Sequence, residues 1–189
     1  MQGPRGGGGH LETPRLLLVP ADPRQLVALY DELEQPVAIA GYTLAAELRA
    51  FYESARPQVS PKWLAGLRTA SGPDPWQHGF FIIERFRHEV IGSAGFKGPP
   101  DADGMVEIAY GVVPSVEGRG YATEAAGALV RFAAADPRVH LVRAHTLPEL
   151  NASTRVLRKC GFVHIGEVVD SEDGPVWRWE RPARHIGSP

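Results

Sequence analysis

The sequence predicts an α/β fold with a mixed, mostly antiparallel central sheet of six to seven strands and helices on both faces. Three observations carry this reading. Apolar residues recur at helical spacing between residues 22 and 70. Residues 80–113 read as short strands joined by turns too brief for crossovers, so neighbours there pair antiparallel. From residue 106 the order becomes strand, helix, strand, helix, strand, strand, which lays helices on a sheet.

The first strand is the apolar run 16–19. Asp22-Pro23 opens a helix, because Asp caps free N–H groups and Pro is tolerated at the first helical position. Leu26, Leu29, Tyr30 and Leu33 mark its apolar face. A second helix is expected from Thr43, with Leu44, Leu48, Phe51 and Tyr52 at helical spacing, and a third from Ser60-Pro61 with Trp63, Leu64 and Leu67. Residues 71–77 hold two prolines and a glycine and form a loop. Strands follow at 80–84, 90–96 and 106–113. A helix is expected over 121–135, where Ala122, Ala125, Ala126, Leu129, Val130 and Ala133 share a face small enough for close approach to a sheet. After a strand at 141–146 comes a helix over 151–160, stopped by Gly161 in a left-handed conformation. Strands at 162–169 and 176–180 close the chain around a turn at 170–174.

The 189 residues suit one domain, expected over residues 12–182, with disordered tails at 1–11 and 183–189. A net charge of −2 argues against a strong electrostatic grip on nucleic acid or an anionic membrane. One cysteine, Cys160, excludes an intramolecular disulfide and suits a reducing, cytoplasmic setting. No apolar run is long enough for a transmembrane helix, and the Gly-rich start lacks the apolar stretch of a secretory signal. The histidines show no metal-ligand spacing, so no metal is expected.

The segment with the most chemistry is 114–126, PSVEGRGYATEAA. A strand runs into a turn with Gly118 and Gly120, and a helix follows at once. The first N–H groups of that helix have no partners within it, and with the helix dipole they favour an anion. The glycines admit close approach, Arg119 adds a charge and Thr123 a hydroxyl, so a pyrophosphate is the natural guest. The alternative is a plain strand–turn–helix connection. A Walker loop needs Gly-Lys-Ser/Thr, which is missing, and a dinucleotide fingerprint needs a glycine where Thr123 stands.

The sequence resembles the GNAT superfamily and, within it, the group like the Rim-type ribosomal-protein N-terminal acetyltransferases. Three stretches carry the resemblance: EIAYGVVP at 107–114, GRGYATEA at 118–125, and NASTRVL at 151–157 followed by KCGF at 159–162. The resemblance implies a central strand that splays from its neighbour, with a pantetheine arm in the gap. It implies that backbone groups of Val112 and Val113 pair with that arm. The N–H groups of Gly118, Arg119, Gly120, Tyr121, Ala122 and Thr123 would then hold the pyrophosphate of acetyl-CoA. Asn151 would contact the pantetheine or fix the local backbone, and an acceptor amine would attack the thioester directly. The chain departs from the superfamily at two points. Glu117 stands where Gln or Arg usually opens the loop, and Leu157 where many members carry a general-acid tyrosine. In the Rim-like group a serine near the helix start is the candidate acid, here Ser153.

The amine must lose a proton before it attacks. At pH 7 this costs about 1.4 kcal/mol for an α-amine and about 4.6 kcal/mol for a lysine. Glu107 is the candidate base, on one strand face with Ala109, Gly111 and Val113. It alternatively orders a hydrogen-bond network or pairs with a basic residue. Ser153 either protonates the departing thiolate or caps the helix. His145 is a candidate for substrate contact, and Cys160 is read as core. The sequence thus predicts an N-acetyltransferase acting on a protein N-terminus or a small-molecule amine, with possible homodimerisation through the last strands. A sensor that binds acyl-CoA without catalysis is the competing reading.

Overall fold

The computed structural model of the chain describes residues 9–30, 37–39, 41–170 and 174–184. Its strands are β1 (Leu11–Glu12), β2 (Leu16–Pro20), β3 (Thr43–Leu44), β4 (Phe80–Glu84), β5 (Glu89–Phe96), β6 (Met105–Val112), β7 (Leu141–Thr146), β8 (Val163–Asp170) and β9 (Gly174–Pro182). Its helices are α1 (Pro23–Tyr30), α2 (Leu48–Ala55), α3 (Pro61–Thr69), α4 (Tyr121–Ala135) and α5 (Ala152–Lys159). The strands form one sheet in the order β1-β2-β4-β5-β6-β7-β9-β8, with β3 beside the start of β5. Every pairing is antiparallel except β6 with β7 and β3 with β5. The mixed, mostly antiparallel sheet is as expected, but nine strands exceed the expected six to seven. The additional ones, β1 and β3, are two residues each, too short to show any periodicity.

The helix expected from Thr43 begins later, at Leu48. The N–H groups of Thr43 and Ala45 donate to the carbonyls of His88 and Val90 (3.1 and 3.0 Å), so this backbone is committed to the sheet before a helix can start. At the two ends, order extends past the expected 12–182. Leu11 is already in β1, and Ala183 is buried with its N–H on the His140 carbonyl (2.9 Å). Leu33 and residues 171–173 lie outside the described residues.

The core follows from the apolar pattern. Strand β4 is buried along its whole length, paired with β2 on one edge and β5 on the other. On one side α4 lays Ala125, Ala126, Leu129, Val130 and Ala133 against the sheet, as expected. On the other side α2 presses Phe51 onto β6, where a Cβ at Gly111 would come within 2.9 Å of the Phe51 ring. The stop of α5 is the Schellman arrangement that Gly161 permits. Gly161 has φ +79°, its N–H reaches the Arg158 carbonyl, and the Phe162 N–H reaches that of Leu157 (3.1 and 3.0 Å).

Strands β5 and β6 approach most closely at Gly92, where an added Cβ would meet the Gly111 carbonyl oxygen at 2.1 Å and the Val112 Cα at 2.8 Å. Both obstacles are backbone and cannot rotate aside. Gly92→Ala is therefore expected to destabilise the fold by about 2–3 kcal/mol, measurable by chemical denaturation. Wild-type stability in this variant would contradict the observed packing.

Candidate active site

Strand β6 pairs with β7 only over Met105, Val106 and Glu107. It stays paired with β5 out to Val112. Past Glu107 the two parallel strands therefore part, and one edge of β6 lies open inside the sheet. The Lys97 N–H donates to the Glu107 carbonyl, and the Val113 N–H to the Ile91 carbonyl (2.9 and 2.8 Å), which sets the alternation along β6. Backbone groups of odd-numbered residues serve β5, and past the last bridge to β7 those of Tyr110 and Val112 face the gap.

The gap opens into a cleft of about 1010 Å³. Gly111, Val112 and Pro114 line one side, and Ala152, Ser153 and Val156 of α5 another. Gly118, Gly120, Tyr121, Ala122 and Thr123 form its end at the start of α4. Gly118 (φ +72°) and Gly120 (φ +84°) both take the left-handed conformation, which costs other residues about 1 kcal/mol or more. Gly120 is the N-cap of α4 and makes no side-chain cap, so the first-turn amides are open to an anion. Across the cleft, Arg155 and Lys159 stand one turn apart on α5 and supply positive charge. Glu47, Ala50, Phe51 and Ser54, none assigned to the site by sequence although the first helices were expected to build the acceptor groove, come from α2 and the residue before it, and make the remaining wall.

The predicted site residues divide accordingly. Val112, Gly118, Gly120, Tyr121, Ala122, Thr123 and Ser153 line the cleft, whereas Glu107, Val113, Arg119 and Asn151 do not. Val113 is corrected: its N–H is held by Ile91 and its carbonyl accepts from the Val116 N–H (3.1 Å), leaving Val112 to face the gap. Asn151 fixes local backbone. It is the N-cap of α5, its side chain accepting from the Thr154 N–H (3.1 Å) while the Thr154 hydroxyl oxygen accepts from the Asn151 N–H (3.1 Å). Ser153 is consequently not the cap, and its half-buried hydroxyl is on the cleft wall. Leu157 is fully buried. Glu117 is exposed at the cleft rim.

Glu107 takes part in a network. Its Oε1 lies 2.8 Å from Lys97 Nζ and 3.1 Å from His145 Nδ1, and only 14% of its side chain is exposed. His145 Nε2 is buried and has no hydrogen-bond partner. A phenol that the sequence reading did not single out, Tyr110, lines the cleft with its hydroxyl 3.5 Å from the Ser153 carbonyl. Burial raises its pKa, with the nearby Cys160 adding to the shift, so it holds its proton at neutral pH. Cys160 is half-buried rather than fully core, and burial pushes its thiol up, against a nucleophilic role. Among the described residues no group of three or more His, Cys, Asp or Glu side chains is placed to hold a metal ion. No helix among them is long and apolar enough to cross a membrane.

A second cleft of about 590 Å³ shares Thr123 and Lys159 with the first. Arg131, Arg181 and Arg184 line it together with Cys160, and no carboxylate does.

Known proteins resemble this chain along most of its length. The N-acetyltransferase YjdG of Bacillus subtilis (strain 168) is 31% identical over 155 residues, 81% of this chain and 89% of that protein. The structure of Mycobacterium smegmatis RimJ in complex with CoA-disulfide superposes with a TM-score of 0.61 at 20% identity, covering 96% of this chain and 89% of that one. That of the aminoglycoside acetyltransferase AAC(6′)-Ib in complex with coenzyme A gives 0.60 at 20% identity, covering 88% and 94%. The family described as Acetyltransferase (GNAT) domain matches residues 15–163. A splayed central strand leading into an open helix N-terminus, and a family match over most of the chain, lead to one conclusion: the protein belongs to the GNAT acetyltransferase family.

Proposed function

We propose that the protein transfers an acetyl group from acetyl-CoA to a primary amine, of a protein N-terminus or a small molecule, by direct attack on the thioester. The observation that carries this reading is the continuity of three features. The unpaired edge of β6 opens into the main cleft. The cleft ends at the uncapped start of α4. The basic second cleft adjoins it at Thr123 and Lys159. The edge of β6 at Tyr110 and Val112 suits a pantetheine arm with amides of its own, because unpaired backbone groups must find partners. The first-turn amides of α4 and the cations Arg155 and Lys159 suit a pyrophosphate. The second cleft, with Arg131, Arg181 and Arg184, suits the phosphorylated adenosine end.

The acceptor approaches from the α2 wall, where Glu47, Phe51 and Ser54 stand. Its nitrogen lone pair forms the new C–N bond to the carbonyl carbon, and the C–S bond breaks. Glu107, coupled to His145, is the candidate to take the amine's proton. The hydroxyls of Ser153 and Tyr110 on the cleft wall are the candidates to give one to the thiolate. The positions of Glu117 and Leu157 also support a sensor that binds acyl-CoA without turnover. Release of free CoA thiol over a panel of amines separates the two readings: release supports the enzyme, and none supports the sensor.

Gly120→Glu puts bulk and negative charge at the cradle and is expected to abolish acetyl-CoA binding in calorimetry while the protein stays folded. Unchanged affinity would remove the assigned loop. Arg131→Gln is expected to narrow the preference for CoA over dephospho-CoA, since one cation facing the extra phosphate is lost; an unaltered preference places the adenosine end elsewhere. Glu107→Gln should lower kcat by about a hundredfold with the KM for acetyl-CoA held. A kcat at the wild-type level from about pH 6 to 9 would exclude Glu107 from the proton transfer.

A further inference from the structure

The start of α4 is held from behind by the turn between β1 and β2. Glu124, in the first turn of α4, accepts three hydrogen bonds from that turn. The Thr13 hydroxyl (2.6 Å) and the Arg15 backbone N–H (2.8 Å) donate to Oε1, and the Arg15 Nε–H (2.7 Å) donates to Oε2. The same guanidinium donates from Nη1 to the Arg119 carbonyl (2.9 Å) and lies over the Tyr121 ring, 4.5 Å from its centroid. The turn that supplies these groups is itself fixed. Thr13 is buried, its hydroxyl also bonds the Leu16 backbone, and its carbonyl accepts from Arg85 (2.8 Å). Arg15 does not line the cleft, although a Cβ on Gly120 would come within 3.3 Å of its Nη2.

We propose that Arg15 is a positioning residue for the pyrophosphate, acting on the cradle through the Arg119–Gly120 peptide and through Glu124. The peptide unit is planar and trans, so its C=O and N–H point in opposite directions. Holding the Arg119 carbonyl on the outer side aims the Gly120 N–H away from Arg15, toward the cleft that Gly120 lines. Gly118 and Gly120 leave this peptide free to rotate, so an external hold is what selects one orientation. The second effect is electrostatic. Glu124 places a carboxylate one turn from the proposed phosphates, where it would oppose a second anion. Only 14% of its side chain is exposed, and burial pushes its pKa up. The Thr13 hydroxyl and the Arg15 backbone and guanidinium outweigh that, so the pKa falls below the ordinary carboxylate range. Glu124 therefore stays ionised and paired, its field spent on Arg15 rather than on the ligand.

This inference rests on the reading of residues 118–123 as the pyrophosphate cradle, and one experiment separates the two. Two donors are compared: acetyl-CoA, and S-acetylpantetheine, which carries the thioester and arm but no pyrophosphate. The wild type is expected to bind acetyl-CoA far more tightly; equal affinity for the two overturns the cradle and the clamp together. Arg15→Lys keeps the cation but loses the rigid fork by which Nε reaches the Glu124 carboxylate while Nη1 reaches the Arg119 carbonyl. Arg15→Lys and Arg15→Gln are each expected to weaken acetyl-CoA binding about tenfold, the loss of one charge-assisted hydrogen bond. Kinetic constants with S-acetylpantetheine and kcat at saturating acetyl-CoA should stay at the wild-type level. The clamp alone is overturned if the wild type discriminates between the donors and Arg15→Lys binds acetyl-CoA as tightly as the wild type. A loss shared equally by both donors also overturns it, because that is the mark of a general weakening of the fold.

Discussion

The site depends on one constraint: β6 cannot follow β5 and β7 at the same time. It is held to β5 as far as Val113, whose N–H reaches Ile91, and β7 is drawn along its whole length into antiparallel pairing with β9. Beyond Glu107 the two demands diverge. A sheet seldom leaves an internal edge open, because each unpaired buried N–H and C=O costs free energy. Here the cost is confined to the residues between Ile108 and Val112, and it creates a slot with peptide-like hydrogen-bonding needs.

The proposed phosphate end is assembled from parts that are far apart in sequence. The glycine turn provides open amides, α5 provides Arg155 and Lys159, and the β1–β2 turn provides Thr13 and Arg15. Each is fixed by local structure. The capping box of Asn151 and Thr154 sets where α5 begins, and so where Ser153, Arg155 and Lys159 fall on its surface. The two elements meet at Cys160, whose thiol lies 3.5 Å from the Thr123 carbonyl.

The sequence made local features legible because local chemistry determines them. Residues 80–84, 121–135 and 141–146 fall where periodicity put them. Gly161 stops α5 by the left-handed geometry expected of it. What escaped depends on distant partners. Strand β3 exists only because β5 offers a free edge, so Thr43 and Leu44, apolar enough to join a helical face, pair with it instead. Val113 looked equivalent to Val112, yet the alternation of β6 gives their backbone groups opposite neighbours. The bond from Arg15 to Glu124 spans 109 positions, and no pattern in either segment announces it. The ambiguity over Ser153 was of the same kind. Ser153 was read as acid or cap, and only the observed dihedrals and bonds show that Asn151 caps the helix instead.

Strand alternation also gives the proposed reaction its direction. Glu107 and Gly111 lie on the face of β6 that α2 covers, as the Phe51–Gly111 contact establishes. Tyr110 lies on the opposite face and reaches α5 at Ser153. A group held in the gap between β6 and β7 therefore has a carboxylate–imidazole pair on one side of the sheet and two hydroxyls on the other. In the proposed reaction an amine arriving along α2 would lose its proton toward Glu107 and His145, and the thiolate would leave beside Ser153 and Tyr110. The proposed proton acceptor and donors would not compete for one position, because Tyr110 lies three positions beyond Glu107 and an odd step inverts the side chain. Tyr110 as the proposed acid on β6 would also account for a leucine at position 157. The phenol then enters the cleft from the sheet, and the α5 position is released to the core, where Leu157 is fully buried.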